Sequence, residues 1–477
     1  MSDRGDGTVV RRVLRWLGRV ERRTRPVDEA AADAARRRWQ ELPEVARTPG
    51  QLIGRRSTGC EGTHGVFPAC DFACKPCYHS AEANRVRIDG PHTVTEVHEQ
   101  MAFLREQRGP AAYAQLIGGE VSLLEPDDHA AALSAMWSQG RIPMSMTHGD
   151  FDWDHLRALA VGPDGKRRFR QLSFAAHIDS TMFGRRGAPK PASEAELHGH
   201  RAAFCALFGR LRREHGVRSY LAHNMTVTPD NLGEVADVVR RSRRQGWRMF
   251  SFQPAAYVGN EGRWRDGFRS IDDDDVWAQI SAGAGWPRLP FEALQFGDTR
   301  CNRITWGAFV GERYVPLLDE GDERDLHARD AYFAALPGNY LAERSTAVKV
   351  LRLLRLLVRR PALAAIAVRY GLRFVGRAGG WRALRHGIRP VTFVMHRFMD
   401  ASVVAPAWAL LEQGRRAEDP EVAAAQDRLE ACVYAMSHPE TGRIVPACVQ
   451  HSVLDAEENR ALAVLLPLPK RRERTHA

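Results

Sequence analysis

An α/β fold is predicted for this 477-residue chain, with a parallel sheet and helices packed outside it. Two observations carry the prediction. From Tyr113 to Pro254, short apolar runs alternate with stretches of helical periodicity, and polar residues gather where the apolar runs end. A hydrophobic content of 44% supports a packed core, and the length exceeds one ordinary domain.

The elements follow in order. Residues 1–50 form an N-terminal extension in which Val9 to Leu17 read as an amphipathic basic helix; its apolar side is expected to pack on the body, with membrane contact as the rival. A weak first strand precedes Cys70. Thr93-Val94-Thr95-Glu96 has capping-box spacing, and Val97, Met101 and Leu104 repeat on one helical face until Gly109-Pro110. Strands are expected at Gln115 to Ile117, Ile142 to Thr147, Arg170 to His177, Tyr220 to Thr228 and Arg248 to Pro254. Helices are expected near Asp127 to Gln139, Phe151 to Val161, Glu194 to Glu214 and Asn231 to Gln245. With the first strand this makes about six units, assigned to a core over 51–258.

A barrel-like parallel sheet places its chemistry on the loops after its strands. Thr147, His148, His177, Asp179, Asn224, Thr226 and Gln253 fall there, each a scaffold residue or part of a polar pocket. Beyond Gly259 the alternation stops. Segment 259–345 holds Cys301, and its acidic run Asp272 to Asp275 reads as a solvated turn at a helix start. Segment 346–388 is an apolar, arginine-studded helical region that either lies in a membrane interface or caps the open sheet. Segment 389–477 carries Cys432 and Cys448.

Three cysteines crowd into Cys70-Asp71-Phe72-Ala73-Cys74-Lys75-Pro76-Cys77, with Tyr78 and His79 directly after. Thiolates at this spacing can grip three corners of a cubane iron–sulfur cluster and leave the fourth iron open to a small molecule. The bland alternative is a structural zinc site built from Cys74 and Cys77 with Cys60, His64 or His79. The loop resembles the signature of the radical S-adenosylmethionine (radical SAM) superfamily, and Gly118-Gly119-Glu120 at the tip of a strand is similar to the motif with which that family contacts the SAM amino group. The resemblance implies a partial (βα)6 TIM-like barrel with an N-terminal extension and a C-terminal α+β cap and auxiliary-cluster region. It implies a [4Fe–4S] cluster on Cys70, Cys74 and Cys77 that cleaves SAM to a 5′-deoxyadenosyl radical. Gly118, Gly119, Glu120, Tyr78, Thr147, Asn224 and Gln253 are the expected SAM-binding residues; a catalytic residue is not identifiable.

Further along, Phe252-Gln253-Pro254, Cys301 with Val315-Pro316-Leu317, Met395 to Asp400, Cys432-Val433-Tyr434-Ala435 and Pro439 to Cys448 resemble the group containing tetraether lipid synthases and class D radical SAM methylases. That resemblance implies a second iron–sulfur cluster on Cys301, Cys432 and Cys448. It implies hydrogen abstraction from an unactivated carbon of a lipid or other apolar substrate with C–C bond formation, or methyl transfer to an apolar substrate or cofactor. An electron donor such as ferredoxin or flavodoxin is the expected protein partner. The chain departs from the pattern at Val121, where proline commonly follows Gly-Gly-Glu, and has one cysteine at the Cys301 position. Each of these three cysteines has the plainer reading of a buried hydrophobe, which Cys205, among Phe204, Leu207, Phe208 and Leu211, illustrates.

Composition bounds the remaining classes. Eight cysteines in so long a chain do not form a disulfide framework, and no signal peptide opens the sequence, so a cytoplasmic protein is expected, with the inner membrane face as a peripheral site. The longest uncharged apolar run, Pro361 to Val368, is well short of the roughly 18–20 residues of a spanning helix. The net charge of +11 is carried almost wholly by arginine, with only five lysines, and is read in part as genomic base composition. No aromatic residues interleave a basic stripe, which argues against a nucleic-acid-binding protein.

Overall fold

The computed structural model describes residues 6–25, 27–337 and 346–469. Strands β1 (Cys60–Gly62), β2 (Ala112–Leu116), β3 (Arg141–Thr147), β4 (Gln171–His177), β5 (Arg218–Val227) and β6 (Met249–Pro254) lie side by side in chain order, each parallel to the next. Parallel neighbours require crossovers. These are α3 (Gly90–Arg108), α4 (Pro126–Ser138), α5 (Trp153–Ala160), α6 (His198–His215) and α7 (Val235–Ser242), with α8 (Asp273–Ala284) after β6.

The sheet does not stop where the alternation fades. Strands β7 (Asn302–Val310), β8 (Arg313–Pro316), β9 (Ile388–His396), β10 (Tyr434–His438) and β11 (Arg443–Pro446) complete an eleven-stranded sheet among the described residues, in the order β8-β7-β9-β6-β5-β4-β3-β2-β1-β10-β11. β9 is parallel to β6 and β10 is parallel to β1, whereas β7 is antiparallel to β9. Hence the parallel run is longer at both ends than the expected six units. Sequence alternation misses β9 and β10 because their connections pass through other elements before the chain returns to the sheet.

The strands have two different faces, and this curls the sheet around an interior. In β6, Phe250 and Phe252 are buried against the outer helices, and Met249, Ser251 and Gln253 line a central cavity. The outer core continues through Phe174, Phe204, Phe208 and Trp247, with Cys205 buried among them as expected. One polar interaction braces the strands: Arg141 donates to both carboxylate oxygens of Glu61 at 2.9 and 3.0 Å, and neither side chain is exposed.

Local expectations are corrected at two places. α3 begins a turn before the capping-box pattern: Asp89 is its N-cap and accepts from His92 N at 3.0 Å, Pro91 sits in its first turn, and Thr93 donates instead to the Asp89 carbonyl at 2.9 Å. On the N-terminal helix α1 (Asp6–Arg23), Leu14, Trp16 and Leu17 are exposed rather than packed on the body. α2 (Glu29–Glu41) packs instead, with four alanines buried. The acidic run does open a helix: Asp272 caps α8 by accepting from Asp274 N and Asp275 N.

The rest of the chain is α9 (Glu323–Ala335), α10 (Thr346–Arg359), α11 (Pro361–Arg377), α12 (Ala401–Glu412), α13 (Pro420–Glu430), the short α14 (Ala447–Val449), a π-helical turn over Gln450–Leu454 and α15 (Asp455–Leu465). Among the described residues, no helix is long and apolar enough to cross a membrane.

Candidate functional site

The cysteine loop is fixed by backbone pairing to the turn after β2. Gly119 N donates to the Phe67 carbonyl at 2.7 Å and Glu120 N to the Ala69 carbonyl at 2.9 Å, which brings Cys70 beside the strand tips. Both glycines are required by this approach. A Cβ on Gly118 would lie 2.7 Å from the Phe67 ring, and one on Gly119 would overlap the Pro68 and Ala69 carbonyls. The close neighbour that excludes a side chain is therefore the chain's own loop. Further on, Ala73–Cys74 pairs with Met182–Phe183, and Asn84 Oδ1 accepts from Cys70 N at 2.9 Å.

Cys70, Cys74 and Cys77 line a cavity of about 1450 Å³. Burial, opposed by a hydrogen bond from Phe72 N and reinforced by Glu120, Cys77 and Asp71, pushes the Cys70 thiol up to about 12. Cys74 is raised well above the ordinary thiol value by burial and by Cys77, Asp179 and Cys70. Such thiols are protonated and poor nucleophiles until a bound cation compensates the thiolate charge.

Glu120 occupies the tip of β2 with 1% exposure. Its carboxylate accepts from Thr147 Oγ1 at 2.6 Å, Ser122 N at 2.9 Å and His148 N at 2.7 Å. His148 stacks on Phe72, with ring centroids 3.8 Å apart, and reaches Asp71 through Nε2 at 2.9 Å. Phe72 is thus a packing partner of the β3 tip.

The structure brings the remaining sequence-derived SAM candidates to the same cavity. Tyr78, Gly118, Gly119, Glu120, Thr147, Asn224 and Gln253 all line it, as do His148, His177 and Thr226. Asp179 lies just outside the lining, holding His177 Nε2 at 2.8 Å and accepting from Thr226 N at 2.7 Å. Four buried oxygens of the lining residues have no hydrogen-bond partner: Gln253 Oε1, Asn302 Oδ1 and the Tyr78 and Tyr434 hydroxyls. Orphaned polar atoms inside a cavity are positions for a ligand's polar groups.

Sequence reasoning missed His451 and His396. Both line the cavity, both are held down to about 4 by burial, and both ring nitrogens of His451 are buried without partners. His451 faces Tyr78 at 6.0 Å and His79 at 5.6 Å between ring centroids, and it forms a compact group with His79 and Asp455. The available signal was its place three residues after Cys448.

His64, in contrast, is used up. Its Nδ1 meets Glu458 at 3.2 Å and its Nε2 the Ser437 carbonyl at 2.8 Å, so it offers the cysteine loop no nitrogen.

Cys301, Cys432 and Cys448 do not line this cavity but sit beside the edge formed by β10 and β11. Cys448 is raised by burial and then by Cys432 and Cys301. Cys301, which accepts from Arg428 Nε at 3.1 Å, is pushed up to about 11, chiefly by burial. Cys432 donates to the Tyr434 carbonyl at 3.0 Å, and Cys448 accepts from Met399 N at 3.5 Å.

No protein-family model matches this chain, and no curated protein does. Among solved structures it is similar to SuiB of Streptococcus suis, at 11% identity over 43% of this chain and 41% of that one with a TM-score of 0.30. It is also similar to anSMEcpe with bound AdoMet, at 12% identity over 46% of this chain and 58% of that one with a TM-score of 0.31. The chain therefore spans about half the length of the solved structures it matches.

Proposed function

We propose that this chain is a radical SAM enzyme that takes hydrogen from an unactivated carbon of a long apolar substrate, foremost a lipid chain, and forms a C–C bond there. The observation that supports the reading is a shared cavity: the three loop cysteines, the Gly118–Glu120 turn and the orphaned oxygens of Gln253 and Tyr78 all open into it. The zinc alternative needs Cys74 and Cys77 to be joined by Cys60, His64 or His79, and both ring nitrogens of His64 are already engaged. When bound, a cubane cluster supplies one electron and an iron left open to SAM.

The chain's own residues do the positioning. A carboxylate accepts about four hydrogen bonds; three of those on Glu120 are taken and His148 Nε2 stands 3.5 Å from its Oε2, so an ammonium group would share this carboxylate with the His148 ring. Gln253 Oε1 and the Tyr78 hydroxyl are placed for further polar groups of the same ligand. Below them the cavity continues between the strands, with Ile142, Met144, Met146, Ala175, Ile304 and Val394 on its walls, to Arg218 and Gln171 at the far ends. Seven strand residues span roughly 23 Å, enough for an extended acyl chain, and the volume exceeds the about 300–1,000 Å³ of ordinary small-molecule sites. Cys301, Cys432 and Cys448, beside Arg428, are assigned to a second cluster.

The test is anaerobic incubation of reconstituted protein with dithionite, methyl-labelled SAM and membrane lipid extract. Formation of 5′-deoxyadenosine together with a cross-linked lipid supports the reading. Label transferred into product assigns methyl transfer instead, and no change in any lipid removes the lipid substrate.

A further inference from the structure

Three adjoining helices expose apolar side chains. Leu14, Trp16 and Leu17 of α1 are 60%, 56% and 48% exposed, and Leu351, Leu354 and Val358 of α10 are 46%, 52% and 82% exposed. On α11, Val368 and Leu372 are exposed as well. The inner sides of these helices are anchored. Arg373 and Arg377 of α11 reach the fully buried Asp325 carboxylate at 2.9 and 2.6 Å, and Leu356 of α10 packs with Ala335 and Leu336. Arg355 of α10 donates to Thr24 Oγ1 at 2.5 Å and to the Glu21 carbonyl at 3.2 Å, so α1 and α10 meet although they lie far apart in sequence.

The chain's positive charge is concentrated on the same helices. Residues 346–377 contain eight basic and no acidic side chains, and α1 has six arginines against Asp6 and Glu21. Set against a net charge of +11 for the whole chain, this leaves everything else close to neutral. The other 51 of the chain's 64 arginines are matched by acidic side chains, so the unmatched excess falls on these three helices that also expose leucine.

We infer that α1, α10 and α11 dock this protein onto the surface of an anionic lipid bilayer, with the exposed leucines, Val358, Val368 and Trp16 at the acyl boundary and Arg359, Arg360 and Arg369 at the level of the lipid phosphates. Eight large apolar side chains left in water on three adjoining helices mark an interaction surface. A nucleic acid would meet the charge and leave the leucines wet. A second copy of the chain would bring two like-charged faces together. Docking does not rest on the reading of the cysteine loop. Lys349, in the first turn of α10, also lines the central cavity, so the docked face and the cavity share a border.

Sedimentation of the full-length protein with vesicles tests this, using phosphatidylcholine alone and phosphatidylcholine with phosphatidylglycerol. Binding to the anionic vesicles only, weakened by salt, is expected. Leu351→Ser/Leu354→Ser/Val358→Ser should weaken it on the order of a hundredfold, and Arg359→Glu/Arg360→Glu/Arg369→Glu should abolish the preference for anionic lipid; unchanged melting of both variants shows that they fold. Three results overturn the proposal: no binding to anionic vesicles at low salt, binding that the serine variant leaves unchanged, or a dimer of the wild-type chain in solution that the serine variant dissociates. Because vesicle binding needs neither iron nor SAM, its failure is distinct from failure of the enzymatic reading.

Discussion

Gly119 packs directly against the Ala69 carbonyl, with no room between them for a Cβ. Because Glu120 N donates to that same carbonyl, one contact sets both the strand tip and the entry to the cysteine loop. Gly119→Ala is therefore expected to push the loop away from β2. Overpacking of this kind costs about 1–3 kcal/mol, and the variant should keep its far-ultraviolet circular dichroism while binding much less iron after anaerobic reconstitution. Full iron loading of the variant would show that the glycine serves SAM alone.

The buried Glu61–Arg141 pair tests the packing of the strands rather than the chemistry. Removing Arg141 leaves the unexposed Glu61 carboxylate with only the charge of Arg108 to offset it, at a cost of about 3 kcal/mol, the low end for a broken buried pair. Arg141→Met should thus lower the urea midpoint strongly, and Glu61→Met/Arg141→Met should recover much of the loss. Equal destabilisation of the single and double variants would mean that the pair is not acting as a unit.

Acid should weaken the fold through its buried neutral histidines. His396 and His451 are held down to about 4 and His129 to about 3, all by burial first. Between those values and the ordinary value of about 6.5 the unfolded chain binds more protons than the folded one. Their contribution, up to roughly 3 kcal/mol each, is complete above about pH 6.5 and is lost as the pH falls toward 4. Urea unfolding across this range should show the midpoint falling with acid, and His451→Asn should flatten the profile. Because Glu61, Glu194 and His64 are raised and act with the opposite sign, the variant decides: a profile that His451→Asn leaves unchanged would contradict a neutral, buried His451.

If Cys301, Cys432 and Cys448 hold a second cluster, the Cys70→Ala/Cys74→Ala/Cys77→Ala variant should retain about four irons. Iron near zero would make these cysteines structural. Cys205→Ala should leave iron content unchanged, because Cys205 is buried in the apolar core between the sheet and its helices.

Local patterns in the sequence carry what is encoded locally. The strands from β2 to β6 are legible because each is a compact apolar run closed by polar residues, and the cysteine loop is legible because its spacing is its chemistry. What depends on return of the chain is hidden: β9 and β10 join the sheet beside β6 and β1 after long excursions, and nothing in Ile388–His396 or Tyr434–His438 names its neighbour. His451 belongs to the cavity only because α14 and the π-helical turn after it fold back toward Tyr78. The capping-box reading of Thr93 fails for a related reason, since Asp89 and Pro91 supply an earlier start.

The central claim is that Cys70, Cys74 and Cys77 carry a redox-active cluster that SAM approaches through the shared cavity. Iron and acid-labile sulfide analysis joined to electron paramagnetic resonance of the anaerobically purified, dithionite-reduced protein tests it most directly. The account predicts equal iron and sulfide, a cluster signal that changes shape on addition of SAM, and loss of that change in the Cys70→Ala/Cys74→Ala/Cys77→Ala variant. Stoichiometric zinc without sulfide, or a cluster signal indifferent to SAM, would contradict it.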